Sequence, residues 1–252
     1  MFLIQAKENI NNAMRKESIP FELFELITEE EILMFKELQI KLRELNKRTN
    51  LTRLIEGDDY WISQVFDSIW PFKFIPNYNF NNKKFLDIGC GCGFPGFAYA
   101  ITHPDSEIYL IDSSKKKTDA LKSLIKIINF KNNVFVINDR VENIAHQPSF
   151  RNSFNIATTR AVSIPSTVSE YILPILKTKG LGVLYCGKWS KEDENSLNKT
   201  LKILGGEIKE RKKLLLPRNK GTRNIICIQP NRACPETYPR SVGKPEKKPL
   251  SR

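Results

Sequence analysis

Apolar residues recur at threes and fours through the first 80 positions, then gather into short runs spaced along the rest of the chain. In "EEEILMFKELQIKLREL", Ile32, Phe35, Leu38, Leu42 and Leu45 fall on one helical face. Thr28 stands just before three glutamates, an N-cap followed by acids that suit the positive end of a helix. "YWISQVFDSIW" is a second short helical segment, expected to halt at Pro71.

From residue 83 the pattern changes. β-branched runs stand at "KFLDI" (84–88), "EIYLID" (107–112), "NVFVIN" (133–138), "FNIAT" (154–158) and "GVLYC" (182–186). Helical segments lie between them, and in "SKKKTDALKSLIKIINF" one face gathers Ala120, Leu121, Leu124, Ile125 and Ile128. That alternation predicts right-handed βαβ units and a mainly parallel sheet covered on both sides. "GEIKERKKLLL" and "NIICIQ" are joined only by the seven residues "PRNKGTR". So short a link permits an antiparallel hairpin and no helical crossover. The expected class is α/β, with a seven-stranded sheet whose last strand is antiparallel. Three parts follow: a helical extension over 1–80, a sheet domain over 81–230, and a basic, proline-rich tail over 231–252 read as extended.

Composition narrows the picture. A chain of 252 residues with 40% hydrophobic content buries a sizeable core. No stretch approaches the roughly 18 apolar residues of a membrane span, and the first residues lack the long apolar region of a signal peptide. A cytoplasmic protein is expected. Five cysteines, an odd number, read as reduced thiols. The net charge is +12, of which residues 207–252 carry +9 and residues 1–80 carry −3. So one-sided a field suits a polyanion, with nucleic acid first.

The chemistry concentrates in "FLDIGCGCGFPG", Phe85 to Gly96. Residues 91–96 fit G-x-G-x-x-G between a strand and a helix, and Asp112 ends the next strand nineteen residues after Gly93. Those features alone fit a dinucleotide site. Asp87, however, stands at the strand end two residues before the first of three alternate glycines. An acid there is a poor neighbour for pyrophosphate and a good one for an ammonium group. S-adenosylmethionine, a cation with an amino acid head and a ribose free of phosphate, fits better. Cys90 and Cys92 supply at most two thiolates where tetrahedral zinc needs four ligands, so no metal is expected.

D-x-G-x-G-x-G with an acid ending the second strand resembles the class I, Rossmann-like, S-adenosylmethionine-dependent methyltransferases. "NKRTNLT" (46–52), "FDSIW", "LIDSSKKK", "RVENIA", "TRAVSIPSTVSE", "YCGK", "RNIICI" and "YPRSVGKPEKKPL" occur in order around it. Together they resemble a narrower group, the glucose-inhibited division protein B family of bacterial small-subunit ribosomal RNA methyltransferases. The chain departs from that pattern at Gln64, Leu45 and Asn224, where the family commonly has His, Trp and His.

The resemblance implies methyl transfer from S-adenosylmethionine to N7 of a guanine in a loop of 16S ribosomal RNA, free or in a small-subunit particle. It implies that Gly89, Gly91 and Gly93 line the cofactor's amino acid end, with Asp87 near its ammonium group and Phe94 packed on it. Asp112 would bind the ribose, Ser113 and Ser114 would lie beside the adenosine, and Val141 and Glu142 would meet the adenine. Arg160 would touch cofactor or target nucleotide as the catalytic candidate. Lys115, Lys116, Lys188, Arg218, Lys220, Arg223, Arg240, Lys244, Lys247 and Lys248 would face RNA phosphates. A monomer is expected. Two other readings fit the same residues: a methyltransferase for another RNA or a protein, and a non-catalytic RNA-binding assembly protein.

Overall fold

The computed structural model describes residues 19–75 and 78–251. Residues 1–18, on which the reading against a signal peptide rests, lie outside them. Helix α1 spans Glu29–Thr49. Thr28 Oγ1 accepts the Glu31 N–H at 3.2 Å, and Glu31 Oε2 accepts the Thr28 N–H at 2.7 Å. That reciprocal cap satisfies two of the donors a helix start leaves over. Ile32, Phe35, Leu38 and Leu42 are buried as the spacing predicts.

The next helical stretch differs from expectation. α2 (Gly57–Tyr60) passes through a π-helical segment, Trp61–Phe66, directly into α3 (Asp67–Phe74). Pro71 sits inside α3 and does not stop it. Trp70, Pro71 and Phe72 are all buried, and that packing holds the final turn despite the lost backbone bond.

Among the described residues the sheet has seven strands: β1 (Lys84–Ile88), β2 (Glu107–Asp112), β3 (Val134–Asn138), β4 (Phe154–Arg160), β5 (Leu176–Cys186), β6 (Gly206–Leu215) and β7 (Thr222–Pro230). Their order is β3-β2-β1-β4-β5-β7-β6. The first five run parallel, and β7 is antiparallel to both β5 and β6. β5 starts six residues earlier than its apolar run indicates, because Lys177, Thr178 and Lys179 are exposed there and hide the strand.

α4 (Gly96–Thr102) and α5 (Lys115–Ile125) share one face of the sheet with α1 to α3. α6 (Val141–Ile144), α7 (Pro165–Ile172) and α8 (Lys191–Leu204) cover the other. β1 lies between β2 and β4, so successive crossovers leave it in opposite directions. The strand ends there open the crevice in which such sheets hold ligands.

The segment after β7 is folded against this second face, a correction to the extended tail. Arg151 donates to the carbonyls of Cys234, Pro235 and Tyr238 at 3.0, 3.1 and 2.8 Å. His146 Nε2 lies 2.7 Å from the Pro239 carbonyl. Cys234, Pro239, Pro245 and Pro249 are buried, and a one-turn helix, α9 (Lys244–Lys247), follows. Side chains of the sheet domain thus take up backbone groups that an extended tail would leave in water.

Candidate functional site

A cleft of about 280 Å³ opens at the ends of β1, β2 and β3. The backbone of the glycine loop is tied to the next strand. Gly89 and Cys90 N–H groups both donate to the Ile111 carbonyl, at 2.8 and 3.0 Å. Asp112 extends the tie: its Oδ2 accepts the Gly91 N–H at 2.9 Å and its Oδ1 the Ser114 N–H at 2.8 Å. Gly89 has φ +69°, and a Cβ there would stand 2.5 Å from Val162 Cγ2. At Gly93, φ is +97° and a Cβ would meet the Phe97 ring at 2.1 Å. Neither position admits a side chain.

Gly89, Asp112, Ser113, Val141 and Glu142 line the cleft as the resemblance implies. Asp87 does not. Its carboxylate is buried beneath the loop, accepting the Gly96 N–H at 2.9 Å and the Thr158 hydroxyl at 3.2 Å from the partner position on β4. Burial pushes its pKa up to about 7, against the opposing pull of the Gly96 bond, Arg160 and Thr158. Asp87 therefore braces the turn, because both of its oxygens face inward. Phe94 is 3% exposed and packs edge-on against Tyr60 and Phe97, so its ring is core. Gly91, Gly93 and Ser114 shape the loop without lining the cleft.

Arg160 is also placed otherwise than expected. Nη1 donates to the Ser63 carbonyl, Asp67 Oδ2 and Ser68 Oγ at 3.1, 3.3 and 3.3 Å, and Nη2 donates to Gln64 Oε1. Both of its terminal nitrogens thus bond the helical extension. Ala161, next in sequence, lines the cleft at φ +57°. These contacts anchor the Arg160 guanidinium at the end of β4, next to the cleft.

The basic candidates divide. Lys115, Lys116, Lys188, Lys244, Lys247 and Lys248 are exposed. Arg218 pairs with Asp58 at 2.6 Å, Lys220 with Asp59 at 2.8 Å and Arg223 with Asp67 at 2.7 Å. Arg240 is held by Glu170, whose side chain is 1% exposed. These four lie against acids of the fold, with less freedom to meet phosphate. No cluster of metal-ligating side chains is found among the described residues. Cys90 and Cys92 are buried, and Cys92 Sγ accepts an N–H from Gln64 at 3.2 Å.

A family model described as rRNA small subunit methyltransferase G matches residues 31–224. The chain belongs to the rRNA small subunit methyltransferase G family. The protein of that name in Prochlorococcus marinus strain MIT 9312 is 76% identical over 237 residues, 94% of this chain and all of that one. The one in strain NATL2A is 43% identical over 88% of this chain and 90% of its own. Among solved structures, a Burkholderia thailandensis 1,6-didemethyltoxoflavin-N1-methyltransferase aligns with a TM-score of 0.53 at 10% identity, covering 78% of this chain and 89% of that one. Magnesium protoporphyrin IX methyltransferase of Synechocystis gives 0.52 at 12%, covering 76% and 93%. The solved structures share the fold.

Within this family member, the cleft is also lined by Lys117, Asp139, Arg140, Tyr171 and Glu246, none of which the sequence reading assigned to the cofactor. Asp139 had a signal, since it directly follows β3 as Asp112 ends β2. Glu246 had none, because it reaches the cleft from far along the chain. Gln64 donates to Thr52 and Cys92 and accepts from Arg160.

Proposed function

We propose that this protein methylates N7 of a guanine in a loop of 16S ribosomal RNA, using S-adenosylmethionine. The observation that carries the reading is a cleft built from the acid-and-glycine loop within a family of small-subunit rRNA methyltransferases. The residues present fit the cofactor. Asp112, Asp139, Glu142 and Glu246 outnumber Lys117 and Arg140 around the cleft, a balance that favours a cation. Glu142 is 2% exposed, and its Oε2 has no hydrogen-bond partner, which leaves an acceptor ready for a ligand donor. Asp112, Val141 and Glu142 would hold the cofactor's nucleoside, with Gly89 beneath it. When bound, the cofactor supplies a methyl group on a sulfonium sulfur.

The chain needs no proton acceptor for this chemistry, since N7 already carries a free lone pair. Both histidines are engaged elsewhere. His103 stacks on Tyr99, with its pKa pushed down by burial to about 4, and His146 meets the Pro239 carbonyl. What the protein contributes is alignment and exclusion of competing poses. Exposed Lys115, Lys116, Lys188, Lys244, Lys247 and Lys248 supply phosphate contacts, and their number sets a steep loss of RNA affinity with salt. The substrate is 16S rRNA, free or in a small-subunit particle, met in the cytoplasm by a single copy of the chain.

Mass spectrometry of 16S rRNA from cells lacking this protein tests the proposal. Loss of one N7-methylguanosine is expected, regained on restoring the gene. Persistence of every such nucleotide would overturn it.

A further inference from the structure

We propose that residues 241–248 are a wall of the cofactor cleft, with the Glu246 carboxylate as a cofactor-site group beside Glu142 and the Gly243 backbone N–H holding Glu142 in place. The proposal rests on the S-adenosylmethionine reading above and adds a part of the chain that the glycine loop and its acids do not include.

Three contacts place the segment. Glu246 lines the cleft together with Lys117, Arg140 and Tyr171. The Gly243 N–H donates to Glu142 Oε1 at 3.0 Å, and Arg140 Nη2 donates to the same oxygen at 3.1 Å. With Oε1 doubly occupied, the buried Oε2 is the acceptor left over. The Pro245 carbonyl accepts the Thr167 hydroxyl at 3.3 Å, fixing the segment to α7.

One guanidinium closes the loop at both ends. Arg240 donates from its backbone N and from Nε to Glu170 Oε1, at 2.8 and 2.9 Å, and from Nη2 to Glu170 Oε2 at 2.7 Å. Nη2 also donates to the Lys248 carbonyl at 2.8 Å. Gly243 turns the chain at φ +76°, a left-handed conformation that glycine enters without penalty. The ligand class that suits this wall is a purine nucleoside, whose exocyclic amine supplies the N–H that a carboxylate oxygen lacks. Meanwhile Lys244, Lys247 and Lys248 are exposed on the same loop. The segment therefore presents cations to solvent while Glu246 lines the cleft and the Gly243 N–H holds Glu142 at its edge.

Calorimetric titration with S-adenosylmethionine separates the parts. Compared are the full chain, a chain ending at Arg240, Glu246→Gln, and a triple Lys244→Gln, Lys247→Gln, Lys248→Gln variant. Loss of one hydrogen-bonded charged contact weakens affinity by about tenfold or more; that is expected for the shortened chain, with a smaller loss for Glu246→Gln. The triple variant should titrate like the full chain and lose only RNA affinity. In the full chain, S-adenosylhomocysteine should raise amide-exchange protection over 241–248. Since the shortened chain can fail for want of folding, Glu246→Gln and the exchange experiment decide. Unchanged affinity in Glu246→Gln with unchanged protection over 241–248 overturns the wall while leaving the cofactor reading intact. A full chain that binds no S-adenosylmethionine overturns the cofactor reading itself, and the wall with it.

Discussion

Asp67 Oδ2 lies 3.3 Å from Nη1 of Arg160, with the carboxylate fully buried. Its other oxygen meets Nε of Arg223 at 2.7 Å. A single acid from the helical extension thus joins the end of β4 to the start of β7. Removing one partner of a buried pair costs about 3–5 kcal/mol, because the charge left behind has no compensation. Asp67→Ala should lose stability on that scale in urea denaturation. Combined with Arg160→Ala, the two losses should be well short of additive. A cost for Asp67→Ala below about 1 kcal/mol, the range of exposed pairs, would contradict the bridge.

The glycine loop predicts an order of damage. Gly93→Ala drives a methyl group into the Phe97 ring at a positive φ, whereas a Cβ at Gly91 meets nothing closer than 3.9 Å. Left-handed backbone alone costs about 1–2 kcal/mol per residue; overpacking adds about 1–3 kcal/mol. Thermal melts should rank Gly93→Ala clearly below Gly91→Ala. Equal melting points would mean that the ring moves aside freely.

Asp112 carries both a loop contact and a cleft wall. Asp112→Ala removes the acceptor for Gly91 and Ser114 N–H groups, and charge-assisted bonds of that kind are worth about 1.5–3 kcal/mol each. Affinity for S-adenosylmethionine should fall by about tenfold or more, at about 1.4 kcal/mol per tenfold. Asp112→Asn keeps one acceptor oxygen and should retain part of the affinity. Calorimetry reads both.

Asp87 makes stability depend on pH. Burial favours its protonated form in the fold, with a pKa of about 7, against about 3.9 for an unperturbed aspartate. A raised folded pKa means stability is fully present below the ordinary carboxylate range and is lost as pH climbs through 7. Asp87→Asn cannot ionise, so its melting temperature should change less between pH 5 and 8 than that of the parent. Parallel curves for the two proteins would show that Asp87 is not the titrating group.

Local chemistry was legible in the sequence and distant pairing was not. The strands announce themselves through β-branched runs, and the loop through glycines whose φ values only glycine adopts freely. Asp112 was found because its position at a strand end is fixed by spacing. The anchoring of Arg160 was hidden because its partners, Ser63 to Ser68, lie more than 90 residues away in the chain. The packing of Phe94 was hidden because Tyr60, which its ring meets edge-on, comes from another segment. Proline and charge gave the last segment the composition of a free arm. The acceptors it offers to Arg151 and His146 are backbone carbonyls, which every sequence contains.

The order in which the chain is made has a bearing on when it can work. Synthesis completes the sheet at Pro230, and domains fold as their residues emerge. Gly243 and Glu246 are added only afterwards, once every strand is in place. With the proposed wall, a growing chain assembles its sheet while the cleft is still one wall short, until that loop arrives and Arg240 pairs with Glu170.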